Sequence, residues 1–206
     1  MCRSVFFLFL FAVLISSCQK EIDGTITFPG GVDPATLKPK VGTTWTYRMY
    51  TYHQDGTLYQ TLSMIHRAKN EETLGGEKWL NIIDVDADTT VYYLQVKADG
   101  LYQYANNAPQ LFLKDPAQVG DNYNTYNTGV SEQFFVRRVK DTLPTGIGDV
   151  LANYYEGYRY NPYLIRDEIW YNKNAWVLRR TEYQTRNTRF FFWYKYRVFY
   201  LDNIVY

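Results

Sequence analysis

Thr43-Thr44-Trp45-Thr46-Tyr47-Arg48-Met49, then Asp55-Gly56, then Leu58, Leu62 and Met64: this stretch decides the fold. Trp45, Tyr47 and Met49 alternate with Thr44, Thr46 and Arg48, the period of a strand with one face buried. Asp-Gly between alternating runs is a strong hairpin signal, because the tightest two-residue turn needs φ > 0 at both positions. A two-residue turn at Asp55-Gly56 sets Met49 opposite Leu62, Tyr47 opposite Met64 and Trp45 opposite His66, all on one face, with His53 and Leu58 near the turn. The other face then pairs Arg48 with Ser63 and Tyr52 with Tyr59. Met49 and Leu62 are expected to be buried partners, since a half-buried antiparallel sheet needs one apolar face.

The same pattern continues downstream. Leu74-Gly75-Gly76 punctuates the chain, Trp79, Ile83 and Val85 alternate, and Asp86-Ala87-Asp88 turns it into a run from Thr89 to Ala98. Asp99-Gly100 signals a second hairpin, into Leu101 to Ala105. The Asn- and Pro-bearing stretch 106–129 reads as a long excursion with short extended pieces at 111–113 and 123–126, a place where function often lies. Strands are expected at 133–140 and 150–160, then a hairpin of 165–171 with 176–185 around Asn172-Lys173-Asn174, then 189–200. In that last run Phe190, Phe192, Tyr194, Tyr196, Val198 and Tyr200 are expected to share a face that lines a core or a concave pocket. No stretch after residue 17 has a convincing helical period, although Pro34 to Leu37 could start a short turn. The expected fold is all-β: a single antiparallel, strongly curved sheet or open half-barrel, built largely as a meander.

Upstream, residues 19–40 carry Pro29-Gly30-Gly31, Pro34 and Pro39 and little periodicity, as in an extended tether. Residues 1–17 place Arg3 before the apolar run Val5 to Ile15, which is too short to span a bilayer and has the layout of a secretory signal. The ending Ile15-Ser16-Ser17-Cys18 resembles the lipobox of bacterial lipoproteins. That resemblance implies cleavage before Cys18, lipid on Cys18 and an outer-membrane address. The organisation follows as a lipoprotein signal peptide over 1–17, a lipidated tether over 18–40 and an all-β domain over 41–206. Two further motifs carry a wider likeness. Val41-Gly42-Thr43-Thr44-Trp45-Thr46-Tyr47 is similar to a G-x-x-W-x-Y entry strand. Trp170-Tyr171 followed by Trp176-Val177-Leu178-Arg179 looks like a W-Y-x-x-x-x-G-L-V-K hairpin, with Asn174-Ala175-Trp176 standing where glycine is usual. Together these resemble outer-membrane lipoproteins of Bacteroidetes-type bacteria, several of them similar in outline to the half-barrel of lipoprotein carriers. The likeness implies a concave apolar face and assigns no ligand.

Composition narrows the chemistry. Lys+Arg number 22 and Asp+Glu 21, so no long-range field favours nucleic acid as a partner. Of the 2 Cys, Cys2 leaves with the signal and Cys18 takes lipid, so the mature domain has no thiol for a disulfide, a zinc site or a nucleophile. The 21 Tyr and 12 Phe suit strands; their sharper alternative is an aromatic surface for sugars or peptides. Asp84, Asp86 and Asp88 have the opening spacing of a calcium loop, but Thr89 and Gln95 stand where it needs glycine and a bidentate Glu. His53 and His66 lie at opposite ends of one hairpin face and cannot share a metal. Ser63 and Ser131 sit in no nucleophile elbow. Glu156, Asp167, Glu168 and Glu182 are the carboxylates from which a glycosidase pair would come, against the ordinary alternative of solvent-facing acids.

Arg137-Arg138, Arg179-Arg180, Arg186, Arg189, Lys195 and Arg197 bunch in the C-terminal half, either as edge protection or as a basic aromatic groove. No catalytic residue, metal site or cofactor is expected. The expected role is that of a lipid-anchored envelope binding or accessory protein, held to the membrane through Cys18. It would take an apolar or glycan ligand, with Trp193, Tyr194 and Tyr196 as the binding candidates. The alternatives are a structural subunit that binds an envelope protein partner and, third, a hydrolase.

Overall fold

The structure, a computed structural model, describes residues 38–127, 130–159, 165–185 and 193–206. The expected signal at 1–17, Cys18, nearly all of the expected tether, Arg186, Arg189, Phe190 and Phe192 lie outside the described residues, and of Trp193 the backbone alone is described. The strands are β1 Thr44–Tyr52, β2 Leu58–Leu74, β3 Glu77–Asp84, β4 Thr89–Lys97, β5 Gly100–Ala105 and β6 Ala108–Lys114. They continue as β7 Asn122–Asn127, β8 Val130–Thr145, β9 Gly148–Arg159, β10 Ile165–Asn172, β11 Trp176–Thr185 and β12 Trp193–Val205. The described residues hold no helix.

All twelve strands form one sheet in the order β6-β5-β4-β3-β2-β1-β12-β11-β10-β9-β8-β7. Every pairing is antiparallel, and every neighbour but one is a sequence neighbour; β1 against β12 joins the two halves. The sheet is the expected strongly curved antiparallel meander, and it curls into a nearly closed barrel with a single seam, between β6 and β7. Side chains stitch that seam. The Tyr123 hydroxyl donates to the Phe112 carbonyl (3.1 Å) and accepts from the Lys114 amide (3.2 Å). Gln103 donates to the Tyr126 carbonyl, and the Lys114 ammonium meets Asp121 at 2.9 Å.

The first hairpin has the expected register over most of its length: Trp45 faces His66, Tyr47 faces Met64, Met49 faces Leu62 and Arg48 faces Ser63. Its turn differs. His53 and Thr57 close the loop, and Gly56 alone of the Asp-Gly pair has positive φ (86°). The longer loop shifts the register, so Tyr52 faces Leu58 rather than Tyr59. Leu62 is 40% exposed, not buried, because β3 ends at Asp84 opposite His66 and leaves the upper part of β2 uncovered.

Residues 106–127 carry the expected extended pieces as full strands, β6 and β7, rather than as fragments of a loose excursion. Asn106 and Asn107 both have positive φ (51° and 58°) and make the tight turn from β5 to β6; residues 115–121 then lead into β7. At Asp99-Gly100, Lys97 pairs with Gly100, so Ala98 and Asp99 make the turn and Gly100 opens β5. Gly100 is needed there: its φ is 151°, and a Cβ would lie 2.3 Å from the Leu113 carbonyl oxygen.

The core packs inside the barrel. β8 and β9 outrun their neighbours, with two register shifts in their ladder, and their tip reaches β12, where the Gly146 amide donates to the Leu201 carbonyl (3.0 Å). Leu143, Ile147 and Val150 of that hairpin are buried in one cluster with Leu178 and Leu201 and close this end of the interior.

An interior cavity as the candidate functional site

Above that plug lies a cavity of about 390 Å³. Its walls come from residues that alternate inward on strands at both sides of the β1–β12 join. Trp45, Tyr47 and Met49 line it from β1, Met64 and His66 from β2, and Arg197 and Phe199 from β12. Ile82, Leu94, Leu101 and Phe112 form the facing apolar wall.

The floor is two tryptophans. Trp45 stacks on Trp176 with ring centroids 5.0 Å apart and planes 19° apart, and its indole N–H donates to the Ala175 carbonyl (3.0 Å). Trp176 has φ +65°, a conformation that a bulky residue adopts at a cost of about 1–3 kcal/mol. Burial of the indole against Trp45 offsets the strain. The Tyr47 hydroxyl donates to the Val177 carbonyl (3.0 Å), and burial holds that phenol neutral by pushing its pKa far up.

One wall is ionic. Arg180, 7% exposed, meets Asp167 at 2.8 Å and Glu182 at 3.3 Å, while Arg197 meets Glu182 at 2.8 Å. Arg180 also donates across the interior to the Tyr92 hydroxyl of β4 (3.2 Å). Burial pulls the Arg180 pKa down, but the attraction of its carboxylates, Asp167 first, more than offsets this, and the guanidinium stays charged. The cavity is therefore apolar on most sides, with a neutralised charge cluster on one.

His66 lines the same cavity, its ring edge-on to Tyr47 (5.4 Å) and paired in register with Asp84. Its Nε2 is buried without a hydrogen-bond partner among the described residues. Burial lowers its pKa below the ordinary 6.5, opposed by Asp84. The fold thus favours neutral His66, and the unfolded chain binds the proton more tightly. That contribution to stability is complete above about pH 6.5 and is lost as pH falls through the lower folded value. His66→Gln should flatten stability against pH across that acid limb; urea midpoints measured from pH 7.5 to 4.5 that fall in parallel with wild type would contradict this.

Two of the three binding candidates from the last strand have described side chains. Tyr194 and Tyr196 do not line this cavity; Arg197 and Phe199, between and beside the expected positions, do. Phe199 stands opposite Met49 and Arg197 opposite Glu182, both of which face the cavity, so the odd positions of β12 point inward here. Glu182 pairs with Arg197 but Tyr183 pairs with Lys195, so Tyr196 is the unpaired residue and strict alternation ends there. Among the described residues the expected face is interrupted at that bulge: Val198 is fully buried opposite Thr181 and Tyr50, while the Tyr194 hydroxyl donates to Gln184 (2.8 Å).

The described basic residues do not form one groove either. Arg180 and Arg197 point inward, whereas Arg137, Arg138 and Arg179 lie over the rings of Phe135, Tyr154 and Tyr200. Among the carboxylates, Asp167 and Glu182 are cross-strand partners held by arginines, and Glu156 is tied to Arg137 (2.9 Å). Asp84 accepts the amides of Asp86 and Ala87 as a turn cap, and no group of three or more metal-ligating residues occurs among the described residues. His53 packs on Tyr59 at the exposed turn (4.8 Å).

No protein-family model matches this chain, and no curated protein does. Two solved structures are similar to it. One is a protein described as exported, with a YmcC-like fold, from Bacteroides fragilis: 14% identity over 82% of this chain and 98% of that one, TM-score 0.48. The other is a protein described as a lipoprotein, from Parabacteroides distasonis: 12% identity over 82% of this chain and 97% of that one, TM-score 0.39.

Proposed function

We propose that this chain is a non-enzymatic binding protein of the cell envelope, anchored to the outer membrane through lipid on Cys18, that takes a small apolar molecule into the barrel. The cavity carries this reading: about 390 Å³, walled by Trp45, Tyr47, Met49, Leu94, Leu101 and Phe199, a size and character usual for small-molecule sites. An apolar occupant fits better than a glycan, because the charged groups on the ionic wall already bond one another. The lipobox-like ending at Cys18 supports the anchor.

Mass spectrometry of the native, detergent-extracted protein tests both parts. Expected are an acylated Cys18 at the N-terminus and a non-covalent apolar molecule released on denaturation. Val91→Trp, at the half-open rim of the cavity, should keep the acyl mass and lose at least tenfold of the released molecule. A wild-type protein that releases nothing apolar would sink the binding reading, and an unacylated Cys18 the anchor.

A further inference from the structure

The upper part of β2 is an unusual edge. Residues 58–63 are all exposed, although they belong to a strand. They pair with β1 on one side; on the other, β3 begins its ladder only at His66, and among the described residues no strand covers 58–64. The Ile65 carbonyl accepts the Val85 amide on the β3 side. Alternation therefore turns the backbone N–H and C=O groups of Ser63 and Thr61 toward that same open side.

Exposed edges are ordinarily blunted by lysine, proline or inward-pointing charge, since open donors and acceptors template further pairing. This edge has none of those devices. Residues 57–66 contain no Asp, Glu, Lys, Arg or Pro, and Leu58, Tyr59 and Leu62 are 54%, 63% and 40% exposed. The other open edges differ: β6 carries Pro109 and Lys114, and β6 and β7 are stitched together by side chains.

We propose that two copies of this chain pair antiparallel through this edge, about a two-fold axis at Leu62. A symmetric antiparallel pairing centred there sets Thr61 of each copy against Ser63 of the other. Both residues have their open groups on this side, so the two pairs exchange about four backbone hydrogen bonds. Leu62 then faces its own copy as a non-hydrogen-bonded pair, with Cα atoms about 4.5 Å apart, and buries its exposed side chain. Self-pairing brings no like charges together, because the edge has none. Leu62 lies on the cavity's side of the sheet, so the two mouths come side by side. The dimer does not depend on what the cavity binds.

Sedimentation velocity of the full chain in density-matched detergent, over a range of concentrations, tests the proposal. Wild type should pass from monomer to dimer as concentration rises. Leu62→Lys, which sets two ammonium groups opposite each other at the axis, should weaken association at least tenfold. Thr61→Pro, which removes an open N–H without touching the ladder to β1, should do the same. Leu62→Cys should form a disulfide-linked dimer under mild oxidation, because the Cα spacing suits that bond, and Thr57→Cys, outside the paired rows, should not. The proposal is overturned by a wild type that stays monomeric, by a dimer insensitive to both Leu62→Lys and Thr61→Pro, or by Leu62→Cys that links no faster than Thr57→Cys. Circular dichroism of each variant separates lost pairing from lost fold.

Discussion

Trp45→Ala should cost the domain about 3–5 kcal/mol, the range for emptying a large aromatic site in a core. Trp45 is 2% exposed and joins three parts of the barrel: its own strand β1, the Ala175 carbonyl at the β10–β11 turn and the Trp176 ring. Its loss leaves that carbonyl without its donor and removes the stacking partner that holds Trp176 at positive φ. Trp45→Phe separates the contributions. It keeps most of the ring packing and loses the N–H, and should cost about 1 kcal/mol from the hydrogen bond plus a smaller packing loss. Urea denaturation of the two variants provides the check. A loss below about 1 kcal/mol for the alanine variant would mean that the Trp45–Trp176 stack does not support the barrel floor.

Arg180→Met should cost a similar amount, about 3–5 kcal/mol, for a different reason. Asp167 has no solvent exposure and Glu182 little, and both lie within 3.3 Å of the guanidinium. Removing the cation leaves buried negative charge without its main partner, and desolvation makes that expensive. Arg180→Met combined with Asp167→Asn should then recover much of the loss, because the second change removes the stranded charge. A double-mutant cycle reads the coupling directly. Strictly additive losses would show that the two residues do not act as a pair.

How much was legible follows from which forces act locally. Pairing of Trp45 with His66 and of Met49 with Leu62 could be read, because alternation and a nearby turn fix both partners within one hairpin. The all-β meander was legible for the same reason. Turn detail was not: Asp55-Gly56 and Asp99-Gly100 announce hairpins without specifying whether the Gly is a turn residue or the first residue of a strand. The full extent of β6 and β7 is hidden in the sequence because Asn106-Asn107 is a turn in its own right, which the surrounding Asn and Pro residues obscure.

The site was harder. His66 was visible as a residue on the apolar face, but nothing local says that the opposite wall is Arg180. That contact joins Tyr92 to Arg180 across 88 residues of sequence, and barrel closure alone brings them together. The bulge at Tyr196 was equally hidden. Arg197 and Phe199 face the interior because they pair with Glu182 and Met49, and the second of these pairings joins the two ends of the chain; no local signal marks either it or the extra residue.

The central claim is that the barrel interior receives an apolar molecule. The most direct measurement is a titration of tryptophan emission with a dibrominated fatty acid, whose bromines quench at contact. Trp45 and Trp176 line the cavity, so the account predicts saturable quenching at about one molecule per chain, with a clearly smaller amplitude in Trp45→Phe. Quenching that rises without saturating, or that is unchanged in Trp45→Phe and Val91→Trp, would place the probe on the outer surface and contradict the account.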